Sequence, residues 1–200
     1  MESGRDDRQA AADRQGRRGK RKPKRPDRAS LAAAALAYLA RFAASSEMLR
    51  RVLMRRVETA ARAGLIAREE GAALVEQVVL RAAASGLLDD EAFAVQRARS
   101  LLRRGKAPAL VKSALAAKGV ESELAARALA ALGEEMPDPA RSAALALARR
   151  RRLGPFRKAA RAEHRDRDLA RLARAGHALE IARWVIDGAD PETLEAELEA

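Results

Sequence analysis

The stretch Gly86-Leu87-Leu88-Asp89-Asp90-Glu91-Ala92-Phe93-Ala94-Val95-Gln96-Arg97-Ala98-Arg99-Ser100-Leu101-Leu102-Arg103-Arg104-Gly105-Lys106-Ala107-Pro108 reads as one complete helix with its punctuation. Asp89 is placed to accept hydrogen bonds from the free N–H groups of a first turn. Phe93, Ala94, Arg97, Ala98, Leu101 and Leu102 then recur at helical spacing, so one face can be buried. Gly105 stops the helix. Pro108 fits the first turn of the next one, where its missing N–H does no harm. Gly86 stands where a left-handed residue closes the preceding helix.

The same grammar extends both ways. Upstream, Ser30 is expected to cap a helix carrying Leu31, Ala35, Tyr38, Leu39 and Phe42, and Ser45-Ser46-Glu47 restarts the chain before Leu49, Val52, Leu53 and Val57. Gly64 marks a turn, and Leu74, Val75, Val78 and Val79 follow it. Downstream, Leu110, Val111 and Leu115 form a stripe closed by Gly119. Ser122 is expected to cap the helix of Leu124, Ala128, Leu129 and Leu132, with Gly133 as its end. Asp138-Pro139 pairs an N-cap with proline at the first helical position. Shorter helices around Leu169/Leu172 and Ile181/Trp184/Val185 flank Gly176. Leu53, Leu115 and Leu172 sit in similar short basic helices, 62 and 57 residues apart. Three-helix units of that size have little core of their own and must stack. The expected fold is therefore all-α: tandem three-helix repeats, helix-turn-helix-like, stacked into an elongated curved body.

Composition agrees. Of the 200 residues 50 are alanine, so the 48% hydrophobic share overstates the core, and five aromatics cannot fill a β-sandwich or barrel. Asparagine is absent and threonine occurs twice, which removes common hairpin chemistry. With no cysteine there is no disulfide framework, zinc ribbon or thiol nucleophile. Arginine interrupts every apolar run well short of a membrane span, and no apolar segment follows the basic N-terminus as a secretory signal requires. The expectation is a cytoplasmic protein without membrane contact.

Forty basic against 28 acidic residues leave a net charge of +12, which points to a polyanionic partner. Residues 1–28 are net +6 and, with no apolar periodicity, cannot offset chain entropy. Residues 1–29 are accordingly expected to form a disordered basic arm, either an electrostatic tether or a solubilising tail. Residues 141–171 are net +8, and the sign reverses from 172 onward. Four consecutive arginines, Arg149, Arg150, Arg151 and Arg152, point all round a helix, and Arg157, Lys158 and Arg161 follow. Arg97, Arg103, Arg104, Lys106 and Lys112 extend the strip. These twelve residues are the candidate contacts for phosphate or an acidic groove.

Other constellations reduce to structure. Asp89-Asp90-Glu91 lies at a helix start, where carboxylates meet the positive dipole end. Arg104-Gly105-Lys106 mimics the tail of a phosphate loop, but Ser100 replaces the first glycine and Ala107 the hydroxyl that holds magnesium. His164 and His177 have no companion nucleophile; His177 is expected to pack beside the Gly176 turn and His164 to face solvent. Trp184 fits a core stripe. No catalytic group, cofactor or metal site is expected, and the chain reads as a non-enzyme.

The segment from Gly86 to Ala94, followed by Arg97, Arg104-Gly105-Lys106, Leu115 and Lys118-Gly119-Val120, resembles the middle repeat of the RecX family. Ala37-Tyr38-Leu39 with Arg41, Ser45, Glu47-Met48-Leu49 and Leu53 is similar to that family's first repeat, and the segment from Asp168-Leu169 to Ile186 to its third. For the helices grouped by threes over residues 30–86, 87–136 and 137–188, followed by an acidic C-terminal tail over 189–200, the resemblance implies tandem three-helix repeats. It implies a monomeric regulator of the recombinase RecA that lies in the groove of the filament on single-stranded DNA. Such a regulator impedes filament growth, ATP hydrolysis, strand exchange and coprotease activity in the SOS response. Duplex DNA is a further possible contact. The alternative is a general helical DNA- or RNA-binding protein, or a helix-turn-helix transcription regulator with Arg51-Val52-Leu53-Met54-Arg55-Arg56 as its recognition helix.

Overall fold

The structure is a computed structural model that describes residues 23–136 and 138–199. The described residues are all-helical, with ten α-helices, two 3-10 turns and no strand. They gather in threes. Helices α1 (Arg28–Leu39), α2 (Ser46–Arg62) and α3 (Arg68–Ala84) enclose Leu31, Leu49, Leu53, Val57, Val75 and Val79. Helices α4 (Asp90–Arg103), α5 (Pro108–Ala116) and α6 (Ser122–Glu135) enclose Ala98, Leu102, Val111, Leu115 and Leu132. Helices α7 (Pro139–Arg151), α8 (Arg165–Arg174) and α9 (Leu179–Asp187) enclose Ala144, Ala148, Leu153, Leu172, Val185 and Ile186. Helix α10 (Pro191–Glu199) follows. Alanines at the contact lines let helices approach closely, so a few leucines and valines in each bundle suffice to fill the space.

Several local expectations hold. Asp89 caps α4 by accepting from the Ala92 N–H at 2.8 Å. Ser45 caps α2 through the Met48 N–H, and Asp138 caps α7 through the N–H groups of Ala140 and Arg141. Pro108 and Pro139 open their helices.

Others are corrected. Asp27, not Ser30, caps α1: its carboxylate accepts the Ser30 N–H at 2.7 Å, and the Ser30 hydroxyl accepts the Asp27 N–H at 3.0 Å. This reciprocal box adds a turn before Ser30. Glu121 precedes α6 without a side-chain bond, and Ser122 is already helical, because burial of Val120 fixes the turn one residue earlier. Gly133 does not end α6. It lies exposed inside the helix, tolerated at a cost of roughly 0.5–1 kcal/mol relative to alanine. The segment read as an acidic tail is the helix α10, held down by Leu194, which is 1% exposed. His164 is half-buried rather than free in solvent. Of the basic arm, residues 1–22 lie outside the described residues. Pro26 is buried, Arg25 pairs with Glu70 at 2.6 Å, and residues 28 and 29 are already helical.

Two joints connect the bundles. Between the first and second, the Ser45 hydroxyl donates to the Lys118 carbonyl at 2.5 Å and Asp90 accepts the Ser46 N–H at 2.7 Å. Arg51 reaches the Ala117 carbonyl at 3.1 Å. That joint is also closed by direct packing, because a Cβ added at Gly119, whose φ is +76°, would overlap the Glu47 side chain. Between the second and third, α4 lies against α7 and backbone meets side chain directly. A Cβ added at Gly105, whose φ is +79°, would stand 2.4 Å from the Leu147 Cβ, and one at Gly176 would stand 2.7 Å from the Leu110 Cγ. The Ala107 N–H donates to the Ala175 carbonyl at 3.3 Å. This second joint frames the site described next.

Candidate functional site

Residues 104–107 form a short loop wedged between α7 and the α8–α9 turn. It ends α4 and carries Arg104 and Lys106 outward while Gly105 and Ala107 face in. On α7, Leu147 is buried, and the residues three and four positions on share its side of the helix. Those are Arg150 and Arg151. On α8, Arg171 and Arg174 stand one turn apart. The three elements enclose a cleft of about 570 Å3, lined by Arg104, Lys106, Arg150, Arg151, Arg171 and Arg174 above an apolar floor that includes Leu110, Leu147 and Leu153. No carboxylate belongs to the lining. Arg104, Lys106, Arg150, Arg151 and Arg174 form no ion pair among the described residues, and Arg171 has a long one to Asp168 at 3.7 Å. Six cations converging on one concave surface repel one another and are relieved by a ligand with several closely spaced negative charges.

The rest of the candidate strip divides by role. Arg149 leaves the cleft: it pairs with Glu195 of α10 and lies over the Phe156 ring at 5.7 Å. Arg152 caps α7 in a left-handed conformation with its side chain exposed. Arg157 turns inward and grips Asp168, fully buried, with two bonds of 2.7 Å, while the Gly154 N–H donates to the same carboxylate at 3.0 Å. Burial pushes the Asp168 carboxyl up, but Arg157 and the Gly154 amide together hold it below the usual range. Arg161 donates to the carbonyls of Ile186, Gly188 and Ala189, satisfying the end of α9. Arg157 and Arg161 thus tie the third bundle together. Arg97 is half-buried, with its Nε buried and unbonded. Arg103, Lys112 and Lys158 are exposed outside the cleft.

Of the arginines in the recognition-helix alternative, Arg51 is held, while Arg55 and Arg56 are exposed and form no ion pair among the described residues. Arg50 is held by Glu76 at 2.8 and 3.0 Å and by Glu47 at 2.7 Å, and Arg51 by Glu47 at 2.8 Å and the Ala117 carbonyl. Trp184 sits at the edge of the third core, with its indole N–H on Glu197 at 2.6 Å and Arg141 over its ring at 5.1 Å. Among the described residues no group of acidic, histidine or cysteine side chains is arranged to hold a metal ion, and no helix is long and apolar enough to cross a membrane.

Under the cleft, His177 is 5% exposed and its Nε2 stands 3.0 Å from the Gly105 carbonyl, an acceptor, so Nε2 carries the proton. Its Nδ1 is buried without a partner. Burial pushes the imidazole below its usual range, and the bond to Gly105 pulls back only in part. The ring stays neutral and pins the 104–107 loop to the α8–α9 turn.

Arg171 and Arg174 escaped the sequence reading. Arg174 fell in a segment whose average charge is negative, and averaging hid it. The signal that finds both is their position on either side of the buried Leu172 of a short, strongly two-faced helix.

Comparison with known proteins adds the following. The family described as RecX, second three-helix domain, matches residues 89–129, which span most of the second bundle. The chain is 42% identical over 149 residues to a protein named Regulatory protein RecX from Myxococcus xanthus (strain DK1622), covering 74% of this chain and 79% of the relative. No solved structure matches significantly.

Proposed function

The chain belongs to the RecX family of regulatory proteins, and from that premise we propose that it is a non-enzymatic regulator of homologous recombination. It binds RecA and RecA filaments on single-stranded DNA, restrains filament growth, and thereby lowers ATP hydrolysis, strand exchange and coprotease activity. The observation that carries this reading is the cleft between the second and third bundles, where six cations converge without a carboxylate. A filament offers such a surface a regular row of phosphates and acidic side chains, and counterion release makes many weak contacts add up. Arg104, Lys106, Arg150, Arg151, Arg171 and Arg174 make the central contacts. Arg97, Arg103, Lys112, Arg152 and Lys158 supply the flanks, while Arg149, Arg157 and Arg161 hold the scaffold. The protein acts as a cytoplasmic monomer whose bundles reach across successive RecA protomers, so that a few bound copies obstruct a long filament.

The test is RecA-dependent ATP hydrolysis on single-stranded DNA. Purified protein added at a tenth or less of the RecA concentration, roughly, is expected to slow hydrolysis severalfold. An unchanged rate at that level contradicts the proposal.

A further inference from the structure

The first bundle carries a second surface feature, far in character from the cationic cleft. Where α1 and α3 run side by side, small residues pave their outer contact line: Ala32 and Ala35 from α1, Ala82 from α3. The shortness of these side chains leaves an apolar groove of about 140 Å3, walled by Leu36, Leu39 and Leu87. Leu36 and Leu87 remain 53% and 51% exposed, so the groove leaves aliphatic surface in water that burial would stabilise.

Charge marks its rim. Arg28 and Arg81 stand on either side, and neither has an ion pair or a side-chain hydrogen bond among the described residues. In the same bundle Arg25, Arg50 and Arg68 are each paired with a glutamate, while Arg41, Arg55 and Arg56, which lie away from the groove lining, have no ion pair among the described residues. No carboxylate lines the groove. Two unpaired guanidinium groups beside an aliphatic trough are the complement of an amphipathic helix that has apolar anchors on one face and carboxylates flanking them.

Other occupants are disfavoured on the same grounds. A second copy joined through this groove by a two-fold axis sets Arg28 and Arg81 against the same arginines. Residues 1–22, with eight basic against four acidic residues, carry the wrong sign. Helix α10 has the right sign but spends its anchor Leu194 on its own core.

We infer that the α1–α3 groove receives an acidic amphipathic helix of a partner protein, its apolar side chains over Ala32 and Ala82 and its carboxylates on Arg28 and Arg81. Resting on the function proposed above, that helix belongs to a RecA protomer of the filament. The protein then holds its target at two chemically distinct places: protein at the first bundle and phosphate at the junction of the other two.

The experiment places p-benzoylphenylalanine at Leu36 of the full chain, irradiates it on RecA–single-stranded DNA filaments, and maps the joined peptide by mass spectrometry. A RecA helix with carboxylates flanking aliphatic residues is expected. Attachment to nucleotide, or to a basic segment of RecA, overturns the inference. In parallel, the double variant Arg28→Glu/Arg81→Glu is expected to bind filaments at least tenfold more weakly while keeping its affinity for naked single-stranded DNA. Both side chains are exposed and unpaired, so helicity is expected to stay intact; Leu36→Glu provides a second variant with the same expected loss. Undiminished filament binding by both variants overturns the groove alone. Wild-type protein that fails to bind filaments overturns the RecA reading itself and with it this occupant.

Discussion

His177 illustrates how one residue can set the conditions under which the site exists. Its neutral ring links Gly105 to the α8–α9 turn, and a second proton has no acceptor waiting at Nδ1. Burial of the ring opposes protonation further. The folded-state pKa is therefore below the unfolded value of about 6.5. Below that value the unfolded chain binds a proton that the folded chain does not, so stability falls as pH drops, by at most ~1.4 kcal/mol per pH unit. The loss levels off once pH passes the folded pKa. Urea midpoints at pH 7.5 and 5.5 are expected to differ more in the wild type than in His177→Gln, whose amide can still donate to Gly105. An equal difference in both contradicts this role. Gly105 itself admits no substitute without movement, because its positive φ and its contact with Leu147 both exclude a Cβ.

At the scale of the helix, α7 shows how a run of four like charges is resolved. Leu147 turns inward, Arg150 and Arg151 follow it into the cleft, Arg149 finds Glu195, and Arg152 ends the helix. Replacing both Arg150 and Arg151 with alanine is expected to flatten the log–log salt dependence of single-strand binding by up to ~0.7 per lost phosphate contact. Arg149→Ala is expected to leave the slope unchanged, and the reverse pattern contradicts the assignment. Helices were legible in the sequence wherever a cap and a stripe coincide, as at Asp89, Pro108 and Asp138. They were misplaced where two caps compete, as at Asp27 and Ser30. Helix α10 was invisible because its single anchor, Leu194, lies among glutamates. The inner half of the cleft was legible, since Arg104, Lys106, Arg150 and Arg151 are all local features. The inward turn of Arg157 and Arg161 was not, because their partners lie 11 and at least 25 residues along the chain and meet them only through tertiary packing.

For the whole molecule, a positive-φ glycine closes each of the two joints between bundles. The second and third bundles are fused by glycine-mediated contact of backbone and side chain, which fixes the cleft. The first bundle is attached through hydrogen bonds around Ser45, which is buried, and around Ser46 and Lys118, and through the contact of Gly119 with the Glu47 side chain. The most direct measurement is co-sedimentation of the full chain with assembled RecA–single-stranded DNA filaments, against free RecA and against naked single strands at the same salt. The filament is expected to capture the protein at concentrations where neither component alone does. Equal capture by naked DNA, with nothing added by RecA, contradicts it.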